Sequence, residues 1–498
     1  MIPVLTPDEM AGVDRRATVA PEVLVERAGA GVAKAAMAYL GGVYGKRITV
    51  VAGKGNNGND GRSAAARLTR RGASVRVVDA ARLGAGARLG EADLIIDAAY
   101  GTGLGRPYAA PDTGNAPVIA VDIPSGLSGL TGLPVTARSP AHSAAGGGAG
   151  GGGGGAGAGV AGAGNGPGGG AVRAAVTVTL AALKPGLVLG DGPTLCGGVE
   201  LVDIGLGEAV DAAARAWLVE DDDAARLIPP RPFDSQKYNT SVQVVAGSPG
   251  MTGAPWMVSV AAMRAGAGYV RLGMPGVDLS ASPLPPGEVV AVPLPAQGWD
   301  EAVRGGLDRY KALVVGPGLG PVTGGDHSRA GGPVVRLVAA ASQPAVIDAD
   351  GLNALGSLDV LAEVVDGREA ATVITPHAGE YRRLVGEAPG SDRVASVRDV
   401  ARRSGAVVLL KGSTTVVASP DGRVLLAAAG TSRLATAGTG DVLSGVIGAL
   451  LAQGVPAWEA AGLGAHIHGR AARLGFSHGL VATDLPDLIA RWLSEHLK

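Results

Sequence analysis

Residues 435–453 read ATAGTGDVLSGVIGALLAQ. A glycine turn, Gly438-Thr439-Gly440-Asp441, opens a run from Val442 to Gln453 that is apolar almost all round. A helix without a polar face is expected to be buried. Successive amides in a glycine turn at a helix N-terminus form an anion hole, and an acid at its lip can take a proton from a hydroxyl while the amides stabilise transferring phosphoryl oxygens. On this reading Asp441 is more than a helix cap.

Around this stretch, short apolar strands alternate with helices. Strands are expected at Val242–Ala246, Ala312–Val315, Ala345–Asp348, Thr372–Thr375 and Val407–Lys411, with helices at Trp256–Arg264, Val394–Arg403 and Trp458–Arg473. The first ~215 residues repeat the theme. Their strands are expected at Arg47–Ala52, Ser74–Asp79, Asp93–Asp97, Pro117–Asp122 and Val176–Leu180, and their helices at Pro21–Tyr39 and Arg62–Arg71. The pattern is that of α/β domains built on parallel sheets covered on both faces. Residues 144–170 hold 17 Gly in 27 positions and are expected to be a loop insertion within the first domain. The Pro-rich segment Pro229–Pro232 marks the change from one series to the next.

Ligands of open parallel sheets bind beyond the carboxyl ends of the strands. In the first half these ends carry GKGNNGNDG (Gly53–Gly61), then Asp97 followed by Gly101-Thr102-Gly103, then Asp122 followed by Pro124-Ser125-Gly126. The first is read as a phosphate-approaching glycine loop with Asn56, Asn57 and Asp60 on it. Asn57, Asp97 and Ser125 could jointly hold a cation through oxygens, leaving Asp122 for acid–base work. In the second half Lys411, with Gly412, Ser413, Thr414 and Thr415 behind it, suits a nucleotide phosphate. Asp348, Asp350 and Asn353 could touch a ligand or a hydrated divalent ion. His377 and Glu380 end another strand, whereas His466 and His468, two apart on a helix, point to different faces and are not expected to be metal ligands.

Composition narrows the function. The 498 residues carry 43 Lys+Arg against 44 Asp+Glu, which argues against a polyanion-coating protein. Aromatics are 3%, too few for stacking platforms on single-stranded nucleic acid. One cysteine, Cys196, excludes an intrachain disulfide and a multi-Cys metal site. No signal peptide and no apolar stretch of ~18 residues is visible, so a soluble cytoplasmic protein without nucleic-acid or membrane partners is expected.

The motifs together resemble a known family. AGSPGMTGA (Ala246–Ala254), GPGLG (Gly316–Gly320), DADGLN (Asp348–Asn353), TPHAGE (Thr375–Glu380), KGSTT (Lys411–Thr415) and ATAGTGD (Ala435–Asp441) resemble the ADP-dependent NAD(P)H-hydrate dehydratases, which have a ribokinase-like α/β/α fold. ERAG (Glu26–Gly29), GNNGNDG (Gly55–Gly61), DAAYGTGLG (Asp97–Gly105), VDIPSG (Val121–Gly126) and LKPG (Leu183–Gly186) resemble the NAD(P)H-hydrate epimerase domain, a Rossmann-like three-layer fold. The resemblance implies a fused repair enzyme with an epimerase-like domain at 1–216 and a dehydratase-like domain at 217–498. It implies that the first domain interconverts the R and S hydrates of NADH and NADPH. The second would use ADP to phosphorylate the S hydrate's hydroxyl, and loss of phosphate would restore the dihydronicotinamide.

The resemblance also implies residue roles. It assigns the hydrate diphosphate to Asn56, Asn57, Gly58, Asn59 and Asp60, and to Gly101, Thr102, Gly103, Leu104, Gly105, Arg106 and Pro107. Acid–base work falls to Asp122 and potassium to Asn57, Asp97 and Ser125. Ala254, Gly318, His377 and Asp441 would hold the second hydrate, with Asp441 the base. Lys411–Thr415 and Gly440 would hold the adenine nucleotide, with Mg2+. A homo-oligomer is implied as well. Two departures stand out. Asn59 replaces the usual glycine, a substitution that suits a left-handed backbone. Residues 106–116 (RPYAAPDTGNA) are short and Pro-broken where the family has a helix. A dehydratase with an inactive first domain, or a small-molecule kinase, are the other readings of the same motifs.

Overall fold

The computed structural model describes residues 1–84, 86–136, 170–280, 287–320 and 331–497, so the Gly-rich tract lies outside the described residues except for Gly170. The chain divides into two compact units, Pro3–Ala214 and Arg215–Lys498, and Met1–Ile2 go with the second. The Met1 ammonium donates to Asp223 Oδ1 at 2.7 Å.

The first unit holds a six-stranded parallel sheet in the order Ser74–Asp79, Arg47–Ala52, Leu94–Ala98, Val118–Val121, Val176–Leu180, Gly198–Val202. Its central strands are near-continuous apolar runs with Val50, Ile96, Ile119 and Val178 fully buried. That is what a sheet covered on both faces requires. The chain runs from Arg47–Ala52 to Ser74–Asp79 on one side and then to Leu94–Ala98 on the other. The order therefore reverses at the carboxyl end of Arg47–Ala52, which is where such sheets place their ligands.

Two expectations need correction here. The helix expected at Arg62–Arg71 spans Asn56–Arg70, so the glycine loop is only Gly53–Gly55 before helical backbone begins. Asn59 is therefore helical; the non-glycine residues with positive φ are Asp122, Ala181 and Ala349 among the described residues. Gly and Asn have low intrinsic helix propensity, but packing overrides it. A Cβ at Gly58 would sit 2.0 Å from the Gly53 carbonyl oxygen, so only glycine lets this turn close. Residues 106–116 form no helix, as their length suggested. The parallel pairing of Ile95 with Val118 is made without one. Leu89 N–H donates to Asp112 O at 3.1 Å and Asp112 N–H to Ala87 O at 3.0 Å, which ties the crossover down.

The second unit is built on a sheet in the order Ala216–Leu218, Val424–Ala427, Thr415–Ala418, Val407–Leu410, Thr372–Ile374, Ala345–Ile347, Ala312–Val315, Ser241–Val245, Tyr269–Pro275, Val289–Leu294. Pairing is parallel except for Thr415–Ala418, which is antiparallel to both neighbours. Here the order reverses beside Ser241–Val245, between the segments leading to Ala254 and to Gly318. The apolar helix spans Thr439–Ala452 and is buried from Val442 onward. A Cβ at Gly445 would lie 2.2 Å from Val258 O, and one at Gly448 2.4 Å from Val314 Cγ2. Those glycines let the helix lie close on helix Gly253–Arg264 and on strand Ala312–Val315. The expected α/β class holds in both units. No helix among the described residues is long and apolar enough to cross a membrane.

Candidate functional site

The first unit contains a cavity of about 840 Å³ at the carboxyl end of its sheet. Its wall takes Asn56, Asn57, Asp60, Gly101, Thr102, Gly103, Leu104, Gly105, Arg106 and Asp122 from the expected residues; Gly58, Asn59, Asp97, Pro107 and Ser125 are not part of it. Helix Asn56–Arg70 starts at Gly55 without a side-chain cap. Its first backbone N–H groups are therefore donors without an intrahelical partner, facing a cavity large enough for a dinucleotide-type ligand.

Asp97 is buried at the end of its strand. Its Oδ1 accepts from Ser125 Oγ at 2.7 Å and from Ala99 N–H at 3.3 Å, and its Oδ2 accepts from Ser125 N–H at 2.8 Å. Burial pushes its carboxyl up to about 6 against those hydrogen bonds, which lower it. Tyr100 N–H donates to Ser125 Oγ at 2.9 Å. The Asn57 amide reaches the next residue, Gly101, and both of its side-chain polar atoms are buried without a hydrogen-bond partner. An orphaned carboxamide oxygen beside a buried carboxylate and a hydroxyl is a donor set for a hard monovalent cation, so the residues fit potassium.

Asp122 sits at the third strand end with a left-handed φ of 65°. Its Oδ1 accepts from Thr179 Oγ1 and Leu180 N–H, each at 3.3 Å, and forms an ion pair with the Lys184 ammonium. Asp60 and Asp14 complete an acidic wall. Burial, then the charges of Asp122 and Asp14, push Asp60 up to about 8. Burial likewise raises Asp14. Lys184, Asp14, Lys54 and Tyr100 line this cavity and carried no role in the sequence reading. LKPG marked the lysine's segment, but a lone lysine in an apolar stretch gives no sign of what it faces.

In the second unit, Lys411 Nζ lies 2.6 Å from Asp348 Oδ1, and Ser444 Oγ donates to Asp348 Oδ2 at 2.6 Å. Asp348 is thus held by the lysine and by the helix that carries Asp441, not directed at a ligand. A Cβ at Gly440 would sit 3.2 Å from Lys411 Nζ, so the anion-hole turn and the lysine share one site. Gly438 takes φ 88° as the N-cap of a helix with no side-chain cap. Asp441 follows in the first turn, with its carboxyl pushed up to about 7, first by burial and next by the Asp348 charge; Lys411 opposes the rise. Asp350 and Glu380 push in the same direction as Asp348.

The other expected residues have definite places. Gly318 has φ 66°, and a Cβ there would lie 3.2 Å from Ala254 Cβ, so these two are neighbours. Ala254 is one helical turn before Met257, whose sulfur lies against Gly438. Asp350 Oδ2 accepts from Gly320 N–H at 2.9 Å. His377 caps helix Ala378–Val385: its Nδ1 accepts from Gly379 N–H at 2.9 Å and Glu380 N–H at 3.3 Å. Gly412 and Ser413 are exposed, Thr414 is buried, and Thr415 begins the antiparallel strand. His466 and His468 diverge. The first contacts Asp221 Oδ1 at 2.8 Å, while burial and then the Lys411 charge lower the second to about 4, against a backbone hydrogen bond at Thr439 that raises it. Ser444, which anchors Asp348, carried no role in the sequence reading.

Segments of both units match known families. Residues 242–494 match the family described as NAD(P)H-hydrate dehydratase, and residues 21–86 match the YjeF-related protein N-terminus. A bifunctional NAD(P)H-hydrate repair enzyme of Salinibacter ruber is 36% identical over 99% of this chain and 96% of its own length. One from Mycobacterium tuberculosis is 38% identical over 85% of this chain and 82% of its own. A solved ADP/ATP-dependent NAD(P)H-hydrate dehydratase from Bacillus subtilis, co-crystallised with ATP/Mg2+, is 26% identical over 56% of this chain and 97% of its own, with a TM-score of 0.45.

Proposed function

Since the chain belongs to the bifunctional NAD(P)H-hydrate repair enzymes, we propose that it repairs hydrated NADH and NADPH with one activity in each unit. The first unit epimerises the R and S hydrates, and the second dehydrates the S hydrate at the expense of ADP. The observation that carries the second activity is the meeting of Asp441, Lys411 and the uncapped turn at Gly438–Gly440 in one site.

Asp441, whose carboxyl sits near neutrality, takes the proton from the hydrate's hydroxyl. The hydroxyl oxygen forms a bond to the terminal phosphorus of ADP while the bond from that phosphorus to AMP breaks. Backbone N–H groups of the Gly438–Gly440 turn bind the transferring oxygens, and Lys411 neutralises their charge. Phosphate then leaves the ring carbon with its bonding pair, a proton leaves the neighbouring carbon, and the double bond of the dihydronicotinamide is restored. Ala254 and Gly318 present small surfaces on which the hydrate lies. Among the described residues no three acidic side chains converge closely enough to hold a metal by themselves, so a divalent cation would arrive on the nucleotide. Mg2+ held there with Asp441 or Asp350 would supply charge neutralisation of the phosphates.

In the first unit, the amides at Asn56–Asp60 and the Gly101–Arg106 turn would bind the hydrate's diphosphate. Asn57, Asp97 and Ser125 would hold potassium, and Asp122 would move the proton at the hydroxyl. A homo-oligomer in the cytoplasm is part of the proposal, read by light scattering and by cell fractionation.

Absorbance recovered from NADH hydrate tests the assignment. Regain of NADH with ADP, and not without it, supports the dehydratase. Acceleration of R-to-S conversion on the R hydrate alone supports the epimerase. A stable phosphorylated product with no NADH regained would instead mark a small-molecule kinase.

A further inference from the structure

Lys184 is 1% exposed and sits in the wall of the 840 Å³ cavity. Its ammonium has three protons and three acceptors: Asp122 Oδ1, Thr179 Oγ1 at 3.1 Å and the Leu180 carbonyl at 2.9 Å. Every donor is spent inside the protein, so the group has none left for a substrate. On Asp122 the contacts are one-sided. Lys184, Thr179 and the Leu180 N–H all meet Oδ1, and Oδ2 has no hydrogen-bond partner among the described residues. Asp122 lines the cavity, and its left-handed backbone, uncommon for a residue with a Cβ, marks a position held by its surroundings.

We infer that Lys184 is a positioning residue for the epimerisation: with Thr179 it clamps one oxygen of Asp122 and leaves the other oxygen to move the proton at the hydrate's hydroxyl. The inference rests on the epimerase reading above. R and S hydrates differ at the hydroxyl-bearing carbon; inverting it by opening the ring requires the hydroxyl proton to leave as the carbon–nitrogen bond breaks with its pair on nitrogen, and to return as that bond re-forms on the other face of the carbonyl. A carboxylate free to rotate would spend little time aimed at that hydroxyl, and a displacement of about 1 Å in such a group costs about a hundredfold in rate. Asp60 and Asp14 face the same space from helices Asn56–Arg70 and Pro7–Arg16. Without the ammonium, their presence would favour turning Asp122 away.

The test is R-to-S conversion by the full chain with Lys184→Met, Lys184→Ala and Thr179→Val. Lys184→Met keeps the length and loses the charge. Its kcat should fall about a hundredfold with KM little changed. Lys184→Ala should be equally slow and recover when ethylammonium is added, and Thr179→Val should lose kcat severalfold at constant KM. Unchanged kcat in folded Lys184→Met overturns the inference. So does a slow Lys184→Ala that ethylammonium does not rescue, because the lysine would then be a structural prop. Should both lysine variants lose their thermal unfolding transition in the first unit, Thr179→Val decides, and an unchanged kcat there overturns the inference. A wild-type chain that does not accelerate R-to-S conversion refutes the epimerase reading itself and takes the clamp with it, an outcome distinct from an active wild type with indifferent variants.

Discussion

Lys411 Nζ lies 2.6 Å from Asp348 Oδ1, and Asp348 Oδ2 takes a hydrogen bond of equal length from Ser444. The carboxylate is 1% exposed, and its charge is neutralised by a lysine that in the proposed mechanism also faces the nucleotide. Removing the lysine leaves a buried, unpaired carboxylate. Lys411→Ala should therefore destabilise the second unit by roughly 3 kcal/mol as well as weakening ADP binding. Lys411→Met with Asp348→Leu should recover most of that stability and none of the ADP affinity. Urea unfolding of the single and double variants checks the first statement and calorimetric ADP titration the second. Equal destabilisation of both variants would show that the pair is not what holds the site.

Asp441 gives a pH dependence of known sign. Its folded carboxyl is raised from the ordinary 3.8 to about 7, chiefly by burial. As the proposed base it must be ionised, so dehydration should fall as pH drops through about 7. Stability moves the other way. Between 3.8 and about 7 the folded chain holds a proton that the unfolded chain has lost, so stability declines as pH rises across that window. Asp441→Asn removes the penalty. It should raise the melting temperature of the second unit above pH 7 by roughly 4 °C and cut dehydration by about 10²–10⁴. A variant that is inactive and also less stable at pH 8 would contradict the burial argument.

The proposed potassium site at Asn57, Asp97 and Ser125 predicts a cation dependence confined to the first unit. Asn57 offers a buried oxygen that nothing in the described chain satisfies, and Asp97 carries a carboxyl raised to about 6 by burial. A bound cation relieves both. Epimerisation should rise with K+, and the first unit's melting temperature should rise with it, whereas choline at equal ionic strength should do neither. Asn57→Ala should raise the K+ concentration for half-activation about tenfold or more. The same K+ dependence in Asn57→Ala would remove Asn57 from the site.

Much of this was legible in the residues, because parallel strands buried on both faces read as apolar runs and ligand sites follow their carboxyl ends. Asp97 and Asp122 were singled out that way, and Asp441 from the glycine turn that opens an apolar helix. What stayed hidden depended on contacts between distant segments. Helix Asn56–Arg70 begins at Asn56 because Gly58 can lie on Gly53, a packing fact that propensity opposes. Asp348 reads as a ligand residue by position, yet Lys411 and Ser444 consume it from segments 63 and 96 residues away. His377 reads as a site residue and its Nδ1 caps a helix. Strand Thr415–Ala418 was missed because the five residues Lys411–Thr415, read as a phosphate loop, also make a tight reversal into an antiparallel strand.

The two glycines flanking Thr439 separate stability from function. Gly438 has φ 88°, and a Cβ there would come within 2.4 Å of Met257 Sδ and 3.1 Å of Ala482 Cβ. Alanine at this position meets a backbone penalty of about 1–2 kcal/mol and must also displace the end of the Met257 side chain. Gly438→Ala should unfold at a clearly lower urea concentration and lose activity in proportion. Gly440 is different. It lies inside the first helical turn, and the nearest atom to a new Cβ is Lys411 Nζ at 3.2 Å, the far end of a flexible side chain. Gly440→Ala should gain up to about 1 kcal/mol from helix propensity, which offsets the small displacement of the lysine. Its urea midpoint should match or exceed wild type. Dehydration should nevertheless fall, because the methyl group occupies the space between the anion-hole amides and the ammonium where the transferring phosphoryl group belongs. Stopped assays at saturating ADP, read beside the urea curves, decide the matter. Full activity in a stable Gly440→Ala chain would mean that no phosphoryl group passes between Gly440 and Lys411.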